Sequence, residues 1–252
     1  KTAYEISTRD WSSDVCSSDL EELDSVVLSE VLNEYLDGAC DIIFRHGGTI
    51  DKFIGDAIMV VFNAPVAQAD HVQRAVRCAL ELDSYCEAFR QRQSAAGIKF
   101  GVTRIGVHTG EATVGNFGSQ SRMDFTALGD TVNTAARTEG VNKYFGTRIC
   151  CTQQVVDACG NGLSFQPIGD VILKGKQVAT TLYTPISDTD QTSEFVREYL
   201  RTYQLLAAGD ADSARAAVQR LYANFPNEPL AEFHAQRVKD GLISTVIKME
   251  DK

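Results

Sequence analysis

The run from Gly47 to Phe62, Gly-Gly-Thr-Ile-Asp-Lys-Phe-Ile-Gly-Asp-Ala-Ile-Met-Val-Val-Phe, constrains this chain more than any other. A glycine pair ends a helix, because glycine enters the left-handed region without a Cβ penalty. Before it, Val27, Leu28, Val31, Leu32, Tyr35, Leu36, Ile42 and Ile43 recur at the spacing of one helical face. After it, Thr49 to Ile54 and Ala57 to Phe62 read as strands on either side of Gly55-Asp56. The pattern predicts a helix feeding a tight β-hairpin, with Asp56 at the tip and its carboxylate presented outward.

Similar punctuation continues along the chain. A helix is predicted from His71 to about Arg92, with Ala75, Val76, Ala79, Leu80, Leu82 and Phe89 as its apolar stripe. Phe100 to His108 and Glu111 to Asn116 read as a second hairpin turning at Thr109-Gly110, followed by a polar loop from Gly118 to Arg122. A helix resumes at Asp130 and runs to about Tyr144. A short strand (Arg148 to Cys151) and a short helix (Gln153 to Ala158) follow. Closing strands near Phe165–Leu173 and Ala179–Thr184 flank Lys174-Gly175-Lys176. Hairpins separated by helices imply an α+β fold, with helices packed on a mainly antiparallel sheet. A doubly wound parallel sheet would need strict strand–helix alternation.

Two regions read differently. In the first twenty residues, Ser12-Ser13-Asp14-Val15 is echoed by Ser17-Ser18-Asp19-Leu20, with no sustained helix or strand period. This segment has the character of a translated sequencing or cloning scar, not native sequence, and is set aside from the fold. Beyond Pro185, residues 187–193 are linker-like. Phe195 to Ala208 and Ala211 to Ala223 then read as two helices around Gly209-Asp210. The placing of Gly209, Ala214 and Pro226 resembles one tetratricopeptide hairpin. A single such unit cannot bury its own face, so it is expected to pack on the main domain and not to act as a partner-binding array. The expected division is 1–20 anomalous segment, 21–186 main domain, and 187–252 linker and helical tail.

Charge and composition exclude several functions. With 24 Lys and Arg against 34 Asp and Glu, the formal net charge is −10, so nucleic acid is not an expected partner. The longest apolar run, Ala57 to Phe62, is too short to span a bilayer, and no signal peptide is visible. Seven cysteines, an odd number with no Cys-x-x-Cys pair, predict reduced thiols in a cytoplasmic compartment over a disulfide framework or zinc site.

Four features carry possible chemistry. They are Asp56 at the hairpin tip, Lys52 four residues before it, Asn133 and Arg137 one helical turn apart, and the Lys174-Gly175-Lys176 turn. Taken singly, each is more ordinary: a turn aspartate, an edge charge, a polar helix face, an exposed turn. Together, a carboxylate for a metal and several cationic or amide donors suggest phosphate chemistry.

These residues lie in motifs that resemble the catalytic domain of class III nucleotide cyclases of the bacterial adenylate cyclase type. The motifs are Asp51-Lys52-Phe53-Ile54-Gly55-Asp56-Ala57-Ile58-Met59, Arg104-Ile105-Gly106-Val107-His108-Thr109-Gly110, Leu128-Gly129-Asp130-Thr131-Val132-Asn133-Thr134-Ala135-Ala136-Arg137 and Leu173-Lys174-Gly175-Lys176. The resemblance runs from about Glu21 to Thr184. It implies a ferredoxin-like domain that dimerises head to tail and converts ATP to 3′,5′-cyclic AMP and pyrophosphate, with two Mg²⁺ or Mn²⁺ ions per site. It further implies that Asp56 is a metal ligand and that Lys52 and Thr126 read the base. Asn133 would orient the ribose, and Arg137 would stabilise transition-state charge. Lys174, and also Arg122, would bind phosphate, while Asp130 would cap its helix. The base assignment agrees with the chemistry: adenine N1 accepts from an ammonium, and its exocyclic amine donates to a hydroxyl.

One departure stands out. The family's first metal carboxylate sits in a Phe-Ser-Asp-Ile-x-Gly-Phe-Thr strand motif, expected where the anomalous segment stands. Asp14 matches only superficially. The chain as written is therefore expected to be inactive or impaired, and a regulatory, nucleotide-binding domain is the alternative function. A diguanylate cyclase is disfavoured because its Gly-Gly-Asp-Glu-Phe signature is absent. The expected location is cytoplasmic, with room for a sensor or membrane anchor upstream of Lys1.

Overall fold

The computed structural model describes residues 2–3, 7–8, 24–187 and 190–249 of the chain. Helix α1 (Ser25–Arg45) begins where the Asp24 carboxylate accepts the Val26 N–H at 2.9 Å. This satisfies one of the donors that a helix start leaves open. It stops two residues before Gly47, whose φ of +77° supports the glycine stop expected there. Strands β3 (Thr49–Ile54) and β4 (Ala57–Val61) then form the expected antiparallel hairpin. Helix α2 (His71–Ala95) packs beside α1, where Tyr35, Phe89 and Phe100 are buried together. The Phe89 and Phe100 rings meet edge-on, 4.8 Å between centroids, an arrangement favoured by the aromatic quadrupole.

The rest of the domain comprises β5 (Ile105–Val107), β6 (Gly110–Glu111), β7 (Thr113–Gly118), β8 (Met123–Leu128), α3 (Asp130–Gly140), α4 (Asn142–Phe145), β9 (Ile149–Thr152), α5 (Gln153–Cys159), β10 (Ser164–Ile172) and β11 (Thr180–Ile186). Two short strands, β1 (Thr2–Ala3) and β2 (Ser7–Thr8), pair with β6 and β5. The α+β architecture is as expected, but one expected hairpin does not form. β5 does not turn back on β7; it pairs in parallel with β9, while β7 pairs with β8. All three residues of β5 are buried. A strand covered on both faces suits the interior of a sheet with helices on its faces, and β7 and β8 are left as a separate two-stranded arm.

The main sheet runs β12-β10-β11-β9-β5-β2, with β12 (Val246–Lys248) contributed by the tail. Two of its pairings, β5–β9 and β10–β12, are parallel, so the sheet is mixed. Its principal core joins Ile43, Ile58, Val60, Phe62, Val76, Leu82, Ile105, Val107 and Cys151. The apolar run at residues 57–62 is therefore a core strand and its extension.

The tail departs from the expected helical hairpin. Its described residues form three helices, α6 (Glu194–Ala208), α7 (Ala211–Asn224) and α8 (Pro229–Lys239), followed by β12. Proline at the first turn of α8 suits a helix start, where no N–H partner is lost. Phe233 on α8 meets Phe145 edge-on at 5.0 Å, and Tyr199 donates to the Pro167 carbonyl at 2.8 Å. Arg237 donates to the carbonyls of Ser244 and Val246, which fixes β12 against the otherwise open edge of β10. Among the described residues the cysteines are free thiols, and no helix is long and apolar enough to cross a membrane. The anomalous segment, Asp14 included, falls largely outside the described residues.

Candidate active site

The β3–β4 ladder skips one residue. Ile50 pairs with Val60 and Lys52 with Met59, which leaves Asp51 as the extra residue of a bulge. A bulge re-aims side chains, and here it drives the Asp51 carboxylate toward β8. Asp51 Oδ2 accepts the Thr126 hydroxyl at 2.5 Å and the Ala127 N–H at 3.1 Å. Its Oδ1 lies 3.3 Å from Lys52 Nζ, and the carboxylate side chain is only 2% exposed. The two expected base readers, from different strands, are thus brought together on the two oxygens of one buried carboxylate. Sequence reasoning missed Asp51, which stands there only as the residue before Lys52 in a motif.

Asp56 is at the hairpin tip but does not face outward. Gly55 adopts φ of +63° with open space on its Cβ side, while Asp56 is 2% exposed. The turn glycine is exposed and the aspartate after it is turned inward.

A second group of residues surrounds α3. Gly106 lets this helix lie directly against β5: a Cβ there would stand 2.5 Å from the Ala135 carbonyl oxygen and would also collide with the Glu139 N–H. Thr131 donates to the Glu111 carbonyl at 2.6 Å, which fixes the first turn. Asn133 is exposed and Arg137 half-buried on the outer face of α3. The Arg137 guanidinium lies against Gly175, whose φ is +72°; a Cβ there would be 3.5 Å from Nη2. Lys174 is exposed beside it. The turn is closed by a 2.9 Å bond from the Lys176 N–H to the Leu173 carbonyl. Asn133 and Arg137 therefore share the outer face of α3, and Arg137 lies beside the Lys174-Gly175-Lys176 turn.

Asp130 does not cap α3. Gly129 is the N-cap, and Asp130 lies in the first turn, ion-paired with Lys176. That ammonium holds the Asp130 carboxyl below the usual carboxylate range. The pair therefore anchors the 174–176 turn to the helix start. Beneath it, His108 bonds Thr152 at 2.8 Å, and burial, with Lys176 nearby, lowers its pKa to about 4. Arg122 stands apart at the tip of the β7–β8 arm, 3.8 Å from Asp124. Four residues of extended strand, about 13 Å, separate it from Thr126.

Divalent cations call for several hard oxygen ligands. Among the described residues no group of three or more His, Cys, Asp or Glu side chains could hold a metal ion. Asp56 offers one carboxylate, so the described residues do not by themselves complete a two-metal site.

Residues 16–185 match the family model of the adenylate and guanylate cyclase catalytic domain. This chain belongs to that family. The matched region contains Lys52, Asp56, Arg122, Thr126, Asn133, Arg137 and Lys174. The chain is 42% identical over 153 residues to adenylate cyclase 1 of Rhizobium meliloti (strain 1021), covering 61% of this chain and 23% of that protein. It is 34% identical over 170 residues to an adenylate cyclase of Anabaena cylindrica, covering 65% of this chain and 33% of that protein. The chain thus spans a third or less of these two relatives. The crystal structure of the adenylyl cyclase CyaB from P. aeruginosa superposes with a TM-score of 0.65 at 30% identity, over 74% of this chain and 93% of that one. The guanylyl cyclase Cya2 gives a TM-score of 0.64 at 28% identity, over 74% of this chain and 92% of that one. The cyclase fold alone therefore does not choose the base.

Proposed function

We propose that this cyclase domain is an adenylate cyclase, converting ATP to 3′,5′-cyclic AMP and pyrophosphate in intracellular signal transduction. The observation that carries the reading is the placing of the Lys52 ammonium and the Thr126 hydroxyl on either oxygen of Asp51. Adenine presents an acceptor at N1 beside a donor at its exocyclic amine, which suits an ammonium next to a hydroxyl. Guanine presents an N–H at N1, which Lys52 would repel. The similarity to two proteins named adenylate cyclases supports the same choice.

In the proposed reaction the ribose 3′-oxygen bonds to the α-phosphorus as the bond to the bridging oxygen breaks, and pyrophosphate leaves. Asn133 orients the ribose. The planar guanidinium of Arg137 donates to the phosphate oxygens as charge moves outward, and Lys174 holds the terminal phosphates. Two Mg²⁺ or Mn²⁺ ions belong to the proposal, with Asp56 as one ligand; when bound, such ions neutralise phosphate charge and acidify the attacking hydroxyl. The second carboxylate would come from the strand motif that the anomalous segment replaces.

A homodimer is also part of the proposal. Phe53, Ile54, Met123, Phe125 and Leu128 are exposed on the β3–β4 hairpin and the β7–β8 arm. Apolar surface of this kind suits a protein interface. The second reading, a nucleotide-binding regulatory domain without turnover, is favoured by the sequence, in which no Phe-Ser-Asp-Ile-x-Gly-Phe-Thr motif precedes the first helix. The experiment replaces residues 1–20 with a Phe-Ser-Asp-Ile-x-Gly-Phe-Thr strand motif and measures cyclic AMP formation with Mg²⁺ or Mn²⁺. The repaired chain is expected to turn over ATP, and the chain as written to show little or none. A folded, dimeric, repaired chain without activity would favour the regulatory reading.

A further inference from the structure

We propose that Asp51 is the positioning residue that makes this site read adenine. Its carboxylate takes up the one proton of the Thr126 hydroxyl and tethers the Lys52 ammonium. The inference rests on the adenylate cyclase reading and deepens it.

A threonine hydroxyl has one proton and two lone pairs, so by itself it is ambiguous. Free to rotate, it would donate to the O6 carbonyl of guanine as readily as it accepts from the exocyclic amine of adenine. Here it is not free. Asp51 Oδ2 already accepts the Ala127 N–H at 3.1 Å, which fixes that oxygen as an acceptor. The 2.5 Å contact from Thr126 is therefore a donation, and it consumes the hydroxyl proton. Only lone pairs remain for the base. Against guanine O6 they would set acceptor against acceptor.

The same carboxylate acts on the second reader. Oδ1 is buried and takes no hydrogen bond from the described residues, yet it lies 3.3 Å from Lys52 Nζ. The attraction holds the ammonium near Thr126, while its protons stay available to a ring nitrogen. Two further observations show a built site. The bulge at Asp51 turns this side chain toward β8, and the carboxylate is 2% exposed although Lys52 beside it is 43% exposed. An aspartate that served only to tie β3 to β8 would affect both nucleotides alike. One that orients the hydroxyl affects their ratio.

The test uses the full chain and binding in place of turnover. ATP and GTP are titrated against bound methylanthraniloyl-ATP in Mg²⁺ buffer, with thermal unfolding followed in parallel. The unmutated chain is expected to prefer ATP. Asp51→Ala is expected to lower that preference about tenfold, the scale of one hydrogen bond. Asp51→Asn keeps one oxygen for the Thr126 and Ala127 donors but sets an NH2 against the Lys52 ammonium, and is expected to keep more of the preference than Asp51→Ala and less than the unmutated chain. If Asp51→Ala does not fold, Thr126→Val leaves the Ala127 bond in place, removes the oriented oxygen alone, and is expected to lower the preference by a similar factor. Equal weakening of both nucleotides, with the ratio unchanged in the folded variants, would overturn the role of Asp51 and leave the cyclase reading standing. No binding of either nucleotide by the unmutated chain would overturn both.

Discussion

Gly106→Ala tests how the phosphate-facing helix is held. A Cβ at this position would stand 2.5 Å from the Ala135 carbonyl oxygen and 2.8 Å from Glu139 Cα, both backbone atoms of α3. No side chain can rotate to relieve them. Carbon contacts are comfortable only near 3.5 Å, so the helix must move off β5 by about 1 Å. Overpacking of this kind costs about 1–3 kcal/mol, and backbone on both sides places it toward the upper end. For a chain of this length that lowers Tm by roughly 5–10 °C. The helix carries Asn133 and Arg137, and a displacement near 1 Å at such groups costs on the order of 10²-fold in rate. Gly140→Ala is the control: it ends the same helix, and a Cβ there meets nothing within 4 Å. It is expected to be neutral or to stabilise by up to about 1 kcal/mol. Thermal unfolding of both variants, and cyclic AMP formation in the repaired enzyme, give the readouts. Gly106→Ala behaving like Gly140→Ala would refute the close helix–strand contact and its role in positioning.

Other outcomes follow from the same geometry. Lys52→Glu in the repaired enzyme is expected to cost about 1–3 kcal/mol in ATP turnover and less in stability, because Lys52 is 43% exposed even though the change sets a second carboxylate beside the buried Asp51; adding Thr126→Cys should move preference toward GTP. If each site is shared across a dimer, inactive Asp56→Ala and Asn133→Ala repaired chains, mixed and exchanged, should recover roughly a quarter of full activity, since each heterodimer keeps one intact site. No recovery with exchange confirmed would place the site within one chain. Burial lowers the pKa of His108 to about 4 and that of His234 to about 3, with Lys176 and Arg237 adding to the respective shifts. The unfolded chain takes up these protons near pH 6.5 and the folded chain does not. Stability should therefore fall as pH drops from 6.5 toward 5, by up to about 1.4 kcal/mol per unit for each histidine. Urea unfolding across that window, with His108→Asn flattening the slope, is the measurement; an unchanged slope would contradict the assignment.

The sequence by itself determined the local elements and the cyclase motifs. The glycine pair at 47–48, the helical stripe before it and the Gly55-Asp56 turn depend on contacts only a few residues apart, so α1 and the β3–β4 hairpin were legible from spacing alone. The shared face of Asn133 and Arg137 follows equally from helical period. Pairings between distant segments were not legible. Ile105–Val107 is too short to declare a partner, and its burial on both faces, a tertiary property, assigned it to β9 instead of β7. Val246–Lys248 begins with two β-branched residues but is too short to read as a strand by itself, and forms one because β10 has an open edge beside it. Asp51 and Asp56 show the limit most directly. A carboxylate in a strand or turn reads as solvated, and only a bulge and the approach of β8, 75 residues away in sequence, bury Asp51 between two polar readers. Local propensity has a range of a few residues, whereas the electrostatic environment of a site is assembled from segments that only the folded chain brings together.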